Sequence, residues 1–186
     1  MGYAVDQKSQ IHSELGLLMP RLKAFAAALT GSEAMSMTLV KATRNHLAAR
    51  AAKERGHTAL AVWAFAQMHT LWASRMKPPR SERQQSADPR LFCPRSRASD
   101  GGNAVRLARV IAQLGAHQRA TLHLVYGERF SYDEVAEIFG VPVQTVMTRL
   151  ARSHAAIAQA EEPQNQMPEP GARGYSEAGQ RQGQAA

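Results

Sequence analysis

The sequence predicts an all-α protein built as two small helical domains joined by a flexible linker, the C-terminal one a four-helix domain with a helix-turn-helix. Three observations carry that prediction. Apolar residues recur at helical spacing over residues 11–75 and again over 104–157. No stretch alternates β-branched and polar residues as a half-buried strand would. Between the two halves lies a Pro-, Ser- and Arg-rich segment without periodic apolar residues. A chain of 186 residues that is 44% hydrophobic can bury one moderate core or two small ones, and two small helical cores are expected.

In the N-terminal half, Leu15, Leu18, Leu22, Phe25, Ala26 and Leu29 keep one apolar stripe, with Pro20 either opening its second part or kinking it, and Gly31 ends it. Ser32 then caps a second helix with Leu39, Val40, Thr43 and Leu47 on one side and Lys41, Arg44 and Arg50 on the other. Gly56 stops it. Thr58 caps a third helix carrying Leu60, Val62, Trp63, Phe65, Met68, Leu71 and Trp72, and Pro78 marks its limit. This first domain spans residues 1–76. Residues 77–103 form the linker. From Arg75 to Asp100 there are seven basic and three acidic residues, a net +4, which is half of the chain's formal excess of +8. Such a segment is either a solvated spacer or a basic tether running near a nucleic-acid backbone.

Periodicity resumes in the domain over 104–160. Leu107, Ala108, Val110, Ile111 and Leu114 form one amphipathic helix, and a second runs from Ala120 to Tyr126 and ends at Gly127. Residues 131–157, SYDEVAEIFGVPVQTVMTRLARSHAAI, then spell two helices joined by a tight turn. Ser131 followed by Glu134 is a capping box, in which hydroxyl and carboxylate each satisfy a backbone N–H at a helix start. Val135, Ile138 and Phe139 give that helix its apolar side, and Ala136 is small enough for close crossing. Gly140 ends it and Pro142 opens the next. In the second helix Val143, Val146, Met147 and Leu150 are expected to form the buried stripe, leaving Gln144, Thr145, Thr148, Arg149 and Arg152 outward.

An ordinary helical hairpin with a polar outer face competes with a DNA-reading one. Charge sorting favours DNA: Asp133, Glu134 and Glu137 lie on the first helix, whereas the second, through His154, carries only Arg149, Arg152 and His154 as ionisable groups. Gln144, Thr145 and Arg149 are placed to reach base edges in a major groove, and Arg152 a phosphate. The tail, 161–186, is Gly-, Gln- and Pro-rich and is expected to be disordered.

Other chemistries lack residues to carry them. Cys93 is the single cysteine, so no internal disulfide or cysteine metal site is expected. The seven histidines are scattered without acidic companions at ligand spacing. Without a phosphate loop, nucleophile elbow or clustered carboxylate pair, no catalytic residue, cofactor, metal or small-molecule substrate is expected. No apolar run reaches membrane-spanning length, and the N-terminus lacks the features of a secretion signal, so membrane insertion is not expected and a cytoplasmic location is. The Met-Gly start is no lipidation signal, because Asp6 stands where a myristoylation motif wants Ser or Thr.

The order of parts resembles the extracytoplasmic-function sigma factors of bacterial RNA polymerase. The residues that carry the resemblance are Gln118-Arg119, Tyr132, Glu134, Ala136, Gly140, Thr145-Val146, Arg149-Leu150 and Arg152, within 111–157. Leu17 to Ala34, LLMPRLKAFAAALTGSEA, is similar to the opening of that family's polymerase-binding domain. The resemblance implies promoter DNA and core RNA polymerase as partners, transcription initiation in a stress or environmental response, and an anti-sigma factor as a further partner. It implies polymerase contact through Leu39, Val40, Lys41 and Thr43. It implies a grip on melted promoter DNA through His69, Thr70, Trp72 and Arg75, and duplex contact through Ser131 and Tyr132 beside the second-helix residues. On the second helix of the chain, Thr38, Lys41 and Ala42 replace the family's usual Asp, Gln and Glu, which removes two negative charges and adds a positive one. That departure motivates the alternative of a sigma-like mimic that binds an anti-sigma factor and regulates transcription without initiating it.

Overall fold

Helix α1 (Tyr3–Thr30) is continuous in the computed structural model, which describes residues 3–54, 59–75, 86–92 and 101–161. Pro20 sits inside it and neither opens nor ends it. Its ring faces solvent, and Gly16, whose carbonyl loses its amide partner four residues on, is exposed as well, so water can replace the lost bond. Gly31 closes α1 in the left-handed conformation, φ 66°. The Thr30 hydroxyl donates to the Ala26 carbonyl and meets the Ser36 hydroxyl at 2.8 Å, which fixes the turn into α2 (Glu33–Glu54). The expected signals at Gly56, Thr58 and Pro78, the thiol of Cys93 and the tail from 162 lie outside the described residues. Helix α3 (Leu60–Arg75) completes the N-terminal half.

The C-terminal half contains α4 (Gly101–Gln113), α5 (Ala116–Leu122) continued by one π turn over His123–Gly127, α6 (Tyr132–Phe139) and α7 (Val143–Glu161). All seven helices and the absence of strands among the described residues agree with the all-α expectation. Arg129, just before α6, is the only non-glycine residue with positive φ among those described, at 62°. Within α4, Leu107 was expected in the buried stripe but is 40% exposed; Ala108 and Ala112 of the helix and Leu114 just after it are buried. Leu107, like its neighbours Val105 and Arg106, is exposed to solvent.

Two separate cores were expected, and the structure has one. Leu22, Phe25 and Leu29 of α1, Phe65, Met68 and Trp72 of α3, and Leu124, Val135, Ile138 and Phe139 of the C-terminal half belong to a single apolar cluster. The apolar side of α6 is shared between α7 and α3, and α1 packs on α5. Helical periodicity reports that a face is buried, not which neighbour covers it, so a shared core and two small ones read alike.

Part of the expected linker is docked structure. The Ala87 amide donates to the Ala112 carbonyl at 2.8 Å and the Asp88 amide to the Gly31 carbonyl at 3.0 Å, so residues 86–92 join the end of α1 to the end of α4. Asp88 caps the 3-10 turn Pro89–Leu91 by accepting from the Arg90 amide. Arg119, 5% exposed, lies behind this clip. It donates to the carbonyls of Ala28 and Leu114, and its guanidinium lies 5.9 Å from the Phe92 ring. Burial pulls its pKa down to about 10, and carbonyl oxygens rather than an acid hold the charge. A second polar link crosses the halves: Arg21 Nε of α1 binds Glu128 Oε2, and His123 Nε2 lies 3.2 Å from Glu128 Oε1.

A candidate nucleic-acid interface

The helix-turn-helix is held by the devices its sequence announces. Ser131 accepts from the Glu134 amide at 3.2 Å, and the Glu134 carboxylate accepts from the Ser131 amide at 2.8 Å. Gly140 is left-handed, φ 63°, and its amide donates back to the Ala136 and Glu137 carbonyls. α7 starts directly after Pro142, and its far end is pinned where Arg106 donates to the Ala160 carbonyl. Val146 and Leu150 are buried against the rest of the half, so the opposite side of the first turns of α7 faces outward.

That outward side differs in three places from the expected one. Gln144, Thr148 and Arg152 are exposed, and Thr145 is half-buried. Arg149 is half-buried too: its guanidinium lies 5.1 Å from the Phe139 ring, and Nη1 is enclosed with no hydrogen-bond partner among the described residues. Burial lowers its pKa. Arg149 therefore braces α7 against α6 as well as bordering the surface. Met147, expected in the core, is 46% exposed instead. A side chain three residues after Gln144 and four before Ala151, both exposed, has to share their side of the helix. The sequence pattern assigned Met147 by its hydrophobicity, and its neighbours in register were the signal to the contrary. Ser131 and Tyr132 sit at the start of α6; the Ser131 hydroxyl is engaged in the cap, and Tyr132 is 42% exposed.

The α3 residues expected to grip an unpaired base divide. Thr70 and Arg75 are on the surface. Trp72 is 1% exposed, its ring edge-on to His117 of α5 at 5.2 Å, and half-buried His69 meets the Phe139 ring at 5.0 Å. With α5 and α6 covering them, these two rings offer no open stacking platform in this arrangement. On α2, Leu39 and Thr43 are fully buried, the Thr43 hydroxyl donating to the Leu39 carbonyl, and Val40 is partly buried. Lys41 alone of the expected polymerase contacts is exposed. The periodicity that put Leu39 and Thr43 on one apolar side also put them in the core.

No group of three or more His, Cys, Asp or Glu residues suited to a metal ion occurs among the described residues, and no helix among them is long and apolar enough to cross a membrane. The surface of α7 is therefore the strongest candidate site: polar, cationic, free of acids from Val143 to Ala160 and standing clear of the N-terminal half. A family model described as sigma-70, region 4 matches residues 104–157. That segment is similar to sigma-70 region 4. The solved structure of the sigma factor RpoE in complex with the anti-sigma factor NepR, from Bartonella quintana, is similar to this chain in fold. Its TM-score is 0.63 at 23% identity, covering 81% of this chain and 96% of that one. The anti-anti-sigma factor PhyR complexed with NepR, from the same organism, is similar at TM-score 0.52 and 16% identity over 80% of this chain; this chain spans 49% of that one. No curated protein matches. The likeness thus has two levels, a match to sigma-70 region 4 over residues 104–157 and a fold shared with the RpoE structure.

Proposed function

We propose that the protein is a sigma factor of the extracytoplasmic-function type, which carries core RNA polymerase to chosen promoters through recognition rather than catalysis. The observation that supports this best is the exposed, acid-free side of α7 in a region 4 domain, with Gln144 and Thr148 toward base edges and Arg152 toward phosphate. Residues 1–76 dock on polymerase, with Lys41 the exposed member of the contact set, and residues 104–160 read the promoter. Good base contacts each contribute roughly 1–3 kcal/mol of discrimination, so a single helix-turn-helix binds weakly alone and gains from delivery by polymerase.

A second reading has its own support. A sigma-like regulator that engages an anti-sigma factor needs the apolar body of a sigma factor and no grip on melted DNA, and Trp72 is buried against His117 here. The likeness to PhyR in complex with NepR points the same way. Run-off transcription separates the two. Purified protein with bacterial core polymerase yields a specific transcript under the first reading; under the second it yields none, and the protein instead relieves inhibition when an anti-sigma factor is added to a different, active sigma factor.

A further inference from the structure

The reading side of α7 carries an apolar strip that its polar neighbours conceal in the sequence. Met147 is 46% exposed, and Ala151, four residues on, is exposed beside it. Thr148 lies between them. Its hydroxyl proton is already committed, donating to the Gln144 carbonyl at 2.8 Å, so the side chain has no free donor and offers a ligand its γ-methyl and an acceptor oxygen. A thioether side chain, a threonine methyl and an alanine methyl thus occupy the middle of a surface bounded by Gln144 at one end and Arg152 at the other. A single exposed methionine would be unremarkable on a soluble protein. Three apolar groups in register on the side of the helix that faces DNA are a recognition surface, because among the base edges in the major groove only thymine presents a methyl group.

We infer that Met147, with the methyls of Thr148 and Ala151, reads thymine C5-methyl groups in the major groove, so that promoter selection by this domain rests in part on methyl contact as well as on hydrogen bonds. The inference rests on the DNA-reading function proposed above and names what part of the base is read. Polar partners at this place would choose guanine or adenine edges; an apolar strip gains nothing from either and excludes water only where a methyl fills the gap.

The test uses the full chain and the chemistry of one methyl group. Duplexes are selected from a random pool by the full-length protein at low salt, and each thymine of the selected site is then replaced in turn by deoxyuridine, which keeps every hydrogen-bonding atom and lacks the methyl. Binding of the unaltered protein is expected to weaken about three- to fivefold at one or two thymines, the worth of burying one methyl. Met147→Ala should erase most of that difference at the same thymine, and Thr148→Ser, which retains the hydroxyl and drops the methyl, should diminish it there or at the adjacent one. Both side chains are exposed, so the variants should melt with the unaltered protein. Indifference to deoxyuridine at every position overturns the inference while leaving DNA reading intact, as does a deoxyuridine effect that both variants preserve in full. Failure to select any sequence, with or without core polymerase, overturns the DNA-reading function and this inference together.

Discussion

Gly31→Ala tests whether the clip formed by residues 86–92 is part of the folded body. Two independent penalties arise at this position. The backbone is left-handed, φ 66°, where an L side chain costs roughly 1–2 kcal/mol. A Cβ built on Gly31 would also lie 2.5 Å from the Ala87 Cβ and 3.0 Å from both the Ala87 Cα and Arg119 Nη2. The first two of these atoms cannot swing aside without moving backbone, so the clip must retreat. Retreat breaks the bond from the Asp88 amide to the Gly31 carbonyl, worth about 1 kcal/mol, and loosens Ala87 in its buried seat. The sum is about 2–4 kcal/mol, which for a chain of this size lowers the melting temperature by roughly 4–16 °C.

Calorimetry or urea denaturation measures the loss, and two further variants apportion it. Asn tolerates the left-handed conformation yet brings the same Cβ, so Gly31→Asn should retain the collision and shed much of the backbone strain. Ala87→Gly in the Gly31→Ala background removes the 2.5 Å contact and should recover part of the stability, a coupling that distant sites would not show. If Gly31→Ala costs no more than the backbone penalty, Gly31→Asn is neutral and Ala87→Gly recovers nothing, the clip is not seated where the hydrogen bonds place it.

Two other outcomes are expected. Burial raises the pKa of the Glu128 carboxyl, but its hydrogen bonds with His123 and Arg21 outweigh that, and the net direction is downward. Its stabilising contribution is then complete above the unfolded value near 4.5 and is lost as pH falls through the depressed folded value, so Glu128→Gln should flatten the acid limb of the stability curve; parallel curves for the two proteins would refute the link across the halves. Arg152→Ala, at an exposed position, should weaken binding almost equally for all duplexes and reduce the salt slope of the binding constant by about one, whereas Arg149→Ala should also lower the melting temperature, since its guanidinium lies against Phe139.

The parts of the fold written in local chemistry were legible. The cap at Ser131, the left-handed glycines at 31 and 140 and the opening at Pro142 are decided by residues within one turn of each other, and the structure has them all where the sequence puts them. What escaped was decided by distant partners. The docking of Ala87 and Asp88 depends on Gly31 and Ala112, and nothing in a Pro- and Arg-rich composition marks two amides for pairing. Arg119 belonged to a recognisable sequence pattern, yet its burial is set by the carbonyls of Ala28 and Leu114. Among the candidate site residues, Gln144, Thr148 and Arg152 stand outward as helical register predicts, while Met147 shows that hydrophobicity and register can disagree, and register prevailed. For Trp72 the same letter serves a core anchor and a stacking platform. Only the position of His117 decides which it is here.

The shared core places the two elements proposed to meet DNA under different constraints. Parting the halves far enough to free Trp72 would separate it from His117, take Phe139 from Phe25 and His69, and take Phe130 from Phe65. Burial of a large apolar side chain is worth about 1.5–3 kcal/mol, and with Phe130 only partly covered the three rings together represent roughly 3–9 kcal/mol. Even about 4 kcal/mol holds the open form near one molecule in a thousand. An unpaired base stacking on one ring returns about 1–3 kcal/mol, too little to shift such an equilibrium by itself, because a ligand moves a population only by the difference in its affinity for the two states. A partner that spreads its contact over α1 to α3 can supply the difference, and for a strand-gripping role it has to act first. The outer side of α7 is under no such constraint: it contacts neither α1, α2 nor α3 extensively, and duplex DNA can meet Gln144, Met147, Thr148 and Arg152 with the core closed.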